Sequence, residues 1–236
     1  MSSTLTIARR ELRSYFNSPT AYIVGMLFLL VVSFMFWNTF FLQQRVSMRE
    51  MFRWTFTLTG FAAPALTMGL IAEERRTGTL ELLVTMPVRD SDVVIGKFLG
   101  ALGLYAILLL LTLPQPISVA NLGPLDWGPV WSGYLGLFLS GAAFLSLGML
   151  ATSWTTNQLT ALVVALGLAG FFGLVHHFLI FMPDGAASVF EWLSFAYHAD
   201  SMERGVIDTR NVLYFVTVIA VCLGLAFRAL ESRRWS

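Results

Sequence analysis

Six long apolar stretches dominate this sequence and constrain its fold more than any other feature. A helix needs about 20 apolar residues to cross the hydrocarbon core of a bilayer. Backbone groups in lipid must be hydrogen-bonded within their own segment, so such spans are helices. The stretches lie at about 21–42, 54–72, 98–114, 133–151, 159–181 and 212–230. The sequence therefore predicts an all-α integral membrane protein with six transmembrane helices.

The composition agrees with this prediction, because 56% of the residues are hydrophobic and 12% are charged. In a typical soluble domain about a quarter of the residues are charged. The segments between the spans are short, so we expect residues 1–236 to form a single transmembrane domain. The formal net charge of +1 gives no reason to expect nucleic acid as a partner. The single cysteine, Cys222, excludes an intrachain disulfide.

A helix of another kind is predicted at 4–17, before the first span. Apolar side chains recur there at helical spacing, and arginines occupy the other face. The apolar positions are Leu5, Ala8, Leu12 and Tyr15 or Phe16, and the arginines are Arg9, Arg10 and Arg13. This pattern is typical of an amphipathic helix that lies in the membrane interface.

Orientation follows from the distribution of Lys and Arg, which concentrate on the cytoplasmic side of membrane proteins. With an inner N-terminus, ten of the fifteen basic residues lie inside. We therefore expect a protein of the cytoplasmic (inner) membrane with both termini cytoplasmic. The outer five are Arg45, Arg49, Arg53, Arg204 and Arg210. The first three share one side of a helix. This side is interpreted either as a site for an anionic substrate or lipid headgroup, or as a solvated face.

The loop at 73–97 is the one substantial cytoplasmic loop, and it predicts a short helix at about 80–86. Gly78 breaks the preceding span, Thr79 can cap the new helix, and Pro87 ends it. So short a helix is not stable alone in water. Its apolar residues Leu80 and Leu83 therefore need something to pack against. The alternative is an inert interfacial turn.

This loop carries the pattern E-x-x-x-G-T-L-E-x-L-x-x-x-P, followed by Gly96 and Lys97. The pattern resembles the signature of ABC-2 type exporter permeases. Its positions are Glu74, Gly78, Thr79, Leu80, Glu81, Leu83 and Pro87. Residues 204–215 and 231–235 resemble the gliding-motility permease branch of that family. The resemblance implies a permease with an interfacial helix, six spans and a coupling helix in this loop that seats in a separate ATPase subunit.

The resemblance also implies partners. Two permease chains, identical or related, pair with two ABC ATPases, and an auxiliary membrane-anchored subunit with an extracytoplasmic part often joins them. The chain itself has no G-x-x-x-x-G-K-[ST] motif, since Ser91 and Phe98 stand where that motif around Lys97 needs Gly and Ser or Thr. We therefore expect no enzyme activity and no cofactor here, with ATP and Mg²⁺ on the ATPase. No charge pattern selects a lipid, polysaccharide, peptide or drug as the substrate.

The outer loop at 182–211 is rich in aromatic residues, and it should lie in or dip into the outer interface. In the resembled family this region forms short re-entrant helices that close the pathway. The resemblance thus implies an outer gate, with simple anchoring as the alternative. The candidate gate residues are Phe190, Trp192, Phe195 and Tyr197.

Two other classes of protein remain as alternatives to an exporter permease. A non-transporting membrane scaffold, or a mechanical-coupling subunit of an ABC-type complex, would have a similar composition. An intramembrane enzyme should place polar catalytic groups within the spans. His176 and His177 alone qualify, and interhelical hydrogen bonding explains them better than metal ligation.

Small residues spaced for close helix contact occur at Gly96 and Gly100 and as a stripe at Gly167, Gly170 and Gly173.

Overall fold

The computed structural model describes residues 3–43, 46–76, 90–178 and 184–231. Within these ranges every regular element is a helix, which confirms the all-α prediction. In chain order the helices are α1 (Ser3–Asn17), α2 (Pro19–Gln43), α3 (Arg49–Thr67), α4 (Ala72–Arg76), α5 (Asp90–Leu111), α6 (Pro114–Leu122), α7 (Trp127–Trp154), α8 (Gln158–Phe178), α9 (Asp184–Leu193), α10 (Phe195–Glu203) and α11 (Thr209–Glu231).

Six segments in the described part of the chain are long and apolar enough to cross a membrane, which confirms the predicted number of spans. They are Ala21–Gln43, Arg49–Glu74, Ser91–Leu122, Trp127–Trp154, Gln158–His176 and Thr209–Glu231. The third differs most from the prediction, which ended it at residue 114. Pro114 instead begins α6 after a turn at Thr112, because proline fits the first turn of a helix without losing a hydrogen bond.

The central element is α7, which packs against α3, α8, α10 and α11. Glycines let its neighbours approach closely: a Cβ added at Gly141 would lie 2.1 Å from the Tyr105 ring. The Tyr105 hydroxyl in turn donates to the carbonyl of Leu137, 3.0 Å away. In the apolar part of this span 83% is buried, against 22% in the corresponding parts of the spans formed by α2, α8 and α11. The central span is therefore enclosed by protein, and the other three present apolar faces outward.

Gly96 and Gly100 make the close helix contact that their spacing predicts, and the partner helix is α1. A Cβ at Gly96 would lie 2.8 Å from the side chain of Ile7, and one at Gly100 would lie 2.6 Å from Cβ of Glu11. Of the apolar positions expected on α1, Leu5 is exposed and Leu12 packs against the core. The face of α1 that meets the protein is thus centred on Ile7 and Glu11, because those residues oppose the two glycines.

Candidate functional site

The loop at 73–97 is described at both ends. Glu74 lies in α4, and α5 begins at Asp90. The remaining residues of the pattern lie within 77–89 and so outside the described residues: Gly78, Thr79, Leu80, Glu81, Leu83 and Pro87. What the structure adds is the set of contacts that holds the two ends of the loop in place.

Those contacts converge on Lys97, whose side chain is 1% exposed. Its Nζ lies 2.8 Å from Oε1 of Glu11 and 2.8 Å from Oε1 of Glu74. The three residues belong to α5, α1 and α4. A buried ammonium group is costly unless it is paired and hydrogen-bonded. The two carboxylates therefore compensate the lysine and join three helices through it.

Arg10 completes this buried lysine cluster, which we define as Arg10, Glu11, Glu74 and Lys97. Its guanidinium lies 3.4 Å from Glu11 and 3.7 Å from Glu74. With two bases and two acids, the formal charges of the cluster cancel. Arg10 is 55% exposed and closes the cluster toward solvent. A neutral cluster can remain buried beside an apolar span where any single member could not.

Two further groups of hydrogen bonds fix α1 along its length. Near its start, the hydroxyls of Ser3 and Thr4 donate to the Asp92 carboxylate over 2.5 and 2.8 Å. Near its end, the Tyr15 hydroxyl donates to the carbonyl of Leu66 over 2.7 Å. Burial, with a smaller effect of Glu11, raises the pKa of Tyr15, so this hydroxyl stays protonated. Helix α1 is therefore attached to the start of α5 and to the end of α3, on either side of the lysine cluster.

The aromatic residues predicted to form an outer gate lie on α9 and α10, which meet at Ser194. Phe195 is fully buried and packs against the rings of Phe144 and Phe172, each with centroids 5.0 Å away. Trp192 and Tyr197 are exposed. The fourth candidate, Phe190, contacts the ring of Phe171. The four candidates thus occupy different surroundings: Phe195 anchors this helix pair to the bundle, and the others lie nearer its surface.

His198 joins the same helix pair to α11. Its Nδ1 lies 2.8 Å from Oδ1 of Asn211, and its Nε2 lies 2.9 Å from the carbonyl oxygen of Trp192. The ring stacks on Tyr214 with centroids 3.9 Å apart. Among the described residues no group of three or more His, Cys, Asp and Glu side chains could hold a metal ion. The contacts of His198 hold α9 and α10 against α11. His176 lies in α8, and the side chain of His177 lies outside the described part.

The arginines at the start of α3 are ion-paired. Arg49 lies 2.7 Å from Asp200, which also pairs with Arg204, and Arg53 lies 3.7 Å from Glu50. Burial would raise the pKa of Asp200, but the hydrogen bonds from Arg49 and Arg204 outweigh it and hold that pKa below its ordinary value. Arg49 and Arg53 therefore both have partners within the protein, and Arg45 lies outside the described residues.

A cavity of about 580 Å³ opens between α3, α7, α8 and α10. Two glycines of the predicted stripe, Gly170 and Gly173, lie on its wall. A Cβ added at Gly167 or Gly170 would meet nothing within 4 Å. Within this chain these two glycines do not make the close helix contact that their spacing suggests, and Gly170 widens a space instead.

The buried lysine cluster was only partly visible in the sequence. Lys97 was part of the pattern, but Glu11 sits among arginines on a helix expected to lie on the membrane. One signal was available: Glu11 follows Ile7 by four residues, so it shares a helix face with an apolar residue that must be covered.

Comparison with known proteins identifies a matching protein family. A family model described as "ABC-2 family transporter protein" matches residues 55–228. The match runs from the second span to the sixth and includes the loop at 73–97. A search of curated proteins finds no match.

Proposed function

The chain belongs to the ABC-2 transporter family, and we propose that it is the transmembrane permease subunit of an ATP-driven exporter complex. Proteins of this family are membrane components of transport rather than catalytic subunits. In our proposal a separate ATPase binds the loop at 73–97, supplies ATP and Mg²⁺, and moves the loop. The observation that carries the proposal is the burial of Lys97 between Glu11 and Glu74.

The buried lysine cluster links the two ends of the loop to each other and to α1. Glu74 precedes residues 77–89, Lys97 follows them, and Glu11 belongs to neither side. Removing one partner of a buried ion pair costs roughly 3–5 kcal/mol. A push on the loop therefore moves α4, α5 and α1 together, because separating them would expose unpaired buried charges.

The same movement can reach the central helix through Thr152. Its hydroxyl accepts a hydrogen bond from the backbone N–H of Ala72 over 3.0 Å and donates to the carbonyl of Met68 over 3.1 Å. These groups lie between the end of α3 and the start of α4. The pathway would thus run from the loop through α4 to α7, the helix with the most buried span.

The finer features of the complex follow from the family resemblance. A second permease chain, identical or related, would pair with this one, and an auxiliary membrane-anchored subunit with an extracytoplasmic part would join it, as in the gliding-motility branch. Both termini would lie in the cytoplasm, at the cytoplasmic membrane. Helices α9 and α10 would close the pathway from outside, with Phe195 as their anchor and Phe190, Trp192 and Tyr197 as the groups that move.

A mechanical-coupling subunit that transports nothing is the second candidate, because the lysine cluster would transmit force in either case. The two functions differ in one measurable respect. ATP hydrolysis by an exporter is stimulated by its substrate, whereas that of a non-transporting complex is not.

The first experiment is to purify the tagged chain from its native membrane and identify the proteins that accompany it by mass spectrometry. We expect an ATPase with Walker motifs. The variant Leu80→Asp with Leu83→Asp should insert into the membrane and lose this ATPase, because burying an unpaired carboxylate costs several kcal/mol. A stable, active single-component transporter would contradict the proposal.

The control is Val206→Asp with Ile207→Asp, between α10 and α11. Both side chains are exposed and lie outside the six membrane-spanning segments. ATPase binding should survive this change. If the loop variant bound the ATPase as well as the control does, with substrate-stimulated hydrolysis intact, the loop would be an inert turn.

A further inference from the structure

The cavity between α3, α7, α8 and α10 has a polar end and an apolar body. On α3 its lining runs from Glu50 to Phe61, which is about 16 Å along a helix at 1.5 Å per residue. Glu50 and Arg53 lie at one end, with His176, Asp200 and Glu203 from the other helices. The body is lined mainly by apolar side chains and glycine: Phe56, Gly60, Phe61, Phe144, Leu166, Ala169 and Leu174. These two parts match an amphiphilic molecule, which has a polar headgroup and an apolar chain.

Two polar groups of this cavity lack partners among the described residues. The indole Nε1 of Trp54 is buried and makes no hydrogen bond. Glu203 has no hydrogen bond or ion pair there either, since the neighbouring bridges use Glu50 and Asp200. A buried donor left unpaired costs free energy. A ligand with an acceptor oxygen would pair with Trp54, and one with a positive charge would pair with Glu203.

The charges at the polar end indicate what kind of headgroup fits. The ion pairs at this end join three bases, Arg49, Arg53 and Arg204, to two acids, Glu50 and Asp200, and Glu203 brings the formal charge to zero. Because these charges balance, a headgroup with a net charge would leave an excess of one sign. A headgroup that carries one charge of each sign would not.

We propose that this cavity binds a zwitterionic phospholipid of the bilayer. The ammonium group of the lipid lies at Glu203, a phosphate oxygen accepts from the indole N–H of Trp54, and an acyl chain occupies the apolar body. The volume of about 580 Å³ lies within the roughly 300–1,000 Å³ of ordinary ligand pockets. The proposal requires that the chain lies in a membrane, and it holds whether or not an ATPase binds the loop at 73–97.

The titration of Glu203 agrees with this geometry. Burial and the neighbouring Asp200 raise the pKa of Glu203 to about 7, against the smaller opposing effect of Arg49 and Arg53. A bound ammonium group would supply the missing partner and favour the carboxylate. Lipid binding at neutral pH should therefore release a proton from Glu203.

The test is to incubate the purified chain in detergent with phosphatidylethanolamine or phosphatidylglycerol of identical acyl chains, and to measure retained lipid by native mass spectrometry. The first lipid is zwitterionic and the second is anionic. We expect phosphatidylethanolamine to be retained about tenfold better, the ratio that one charge-assisted hydrogen bond supplies. Equal retention of the two lipids would overturn the proposal.

Three variants locate the site. Glu203→Gln removes the charge, Trp54→Phe removes the indole N–H and keeps a ring, and Gly170→Leu fills the cavity. Because a Cβ at Gly170 meets no atom within 4 Å, this last variant should fold normally. Each should lower phosphatidylethanolamine retention, the first about tenfold. The control Glu191→Gln, on α9 and outside the cavity lining, should retain the lipid normally.

Melting temperatures of all four variants separate loss of the site from loss of the fold. If one cavity variant is unfolded, the other two still test the site. Retention that stays normal in folded variants with Gly170→Leu and Trp54→Phe would show that the lipid binds elsewhere and would refute the proposal.

Discussion

Replacing Lys97 with methionine is the sharpest test of the buried lysine cluster. Methionine keeps a long unbranched side chain and removes the ammonium group that lies 2.8 Å from both Glu11 and Glu74. The two carboxylates, 13% and 19% exposed, then face each other beside Arg10, whose guanidinium lies 3.4 and 3.7 Å from them. Removing one member of a buried ion pair costs roughly 3–5 kcal/mol.

That cost should be visible in thermal unfolding of the purified chain in detergent. For a chain of this size each kcal/mol shifts the melting temperature by roughly 2–4 °C, so Lys97→Met should lower it by roughly 6–20 °C. The matched control is Arg76→Ala, which breaks the exposed pair between Arg76 and Glu73. An exposed pair contributes less than about 1 kcal/mol, so this change should have little effect.

A triple variant separates the cost of unpaired charge from the role of the cluster. Lys97→Met combined with Glu11→Gln and Glu74→Gln leaves no buried charge, and it should recover most of the lost stability. In the complex this variant should still bind the ATPase, but its hydrolysis should lose its response to substrate. An unchanged melting temperature in Lys97→Met would refute the burial argument. A stable triple variant with normal coupling would show that the cluster has a structural role alone.

Three further predictions concern other parts of the chain. Gly100→Ala should destabilise the fold by about 1–3 kcal/mol, because its Cβ would lie 2.6 Å from Cβ of Glu11; Gly224→Ala, with nothing within 4 Å, is the control in the same melting assay. Retention of phosphatidylethanolamine should fall as the pH drops through about 7, because Glu203 becomes protonated. The charged groups around Glu203 are Glu50, Arg49, Arg53, Asp200 and Arg204, and His176 also lines the cavity. A fall of the same size in Glu203→Gln would assign the effect to another group. In a Cys222→Ser background, single cysteines placed in 75–92 should react with membrane-impermeant reagents only from the cytoplasmic side; labelling from outside would reverse the predicted topology.

The spans could be predicted from sequence because hydropathy reports on the solvent that surrounds them, and the bilayer sets their length. The third span extends beyond residue 114 because Pro114 begins a further helix, and proline fits the first turn of a helix.

The two charge clusters could not be predicted, because each joins residues far apart in the chain. Glu11 and Lys97 are separated by 86 positions, and Arg49 and Asp200 by 151. Local patterns reveal which residues share a helix face, but they do not reveal which face of another helix lies opposite. For the same reason the sequence placed Gly96 and Gly100 at a helix contact without identifying α1 as the partner.

The docking of α1 onto α5 has a consequence for biogenesis. Ribosomes deliver α1 first, whereas Gly96, Gly100 and Lys97 emerge some 80 residues later, so the first helix must wait beside the membrane until the third span has been inserted. Until then Glu11 has no Lys97 to neutralise it, and the two ends of the loop at 73–97 are not yet joined. In the proposed complex, a nascent chain that stalls before the third span would therefore offer no completed binding site to an ATPase, and closure of the lysine cluster would mark the moment at which the chain becomes competent to assemble.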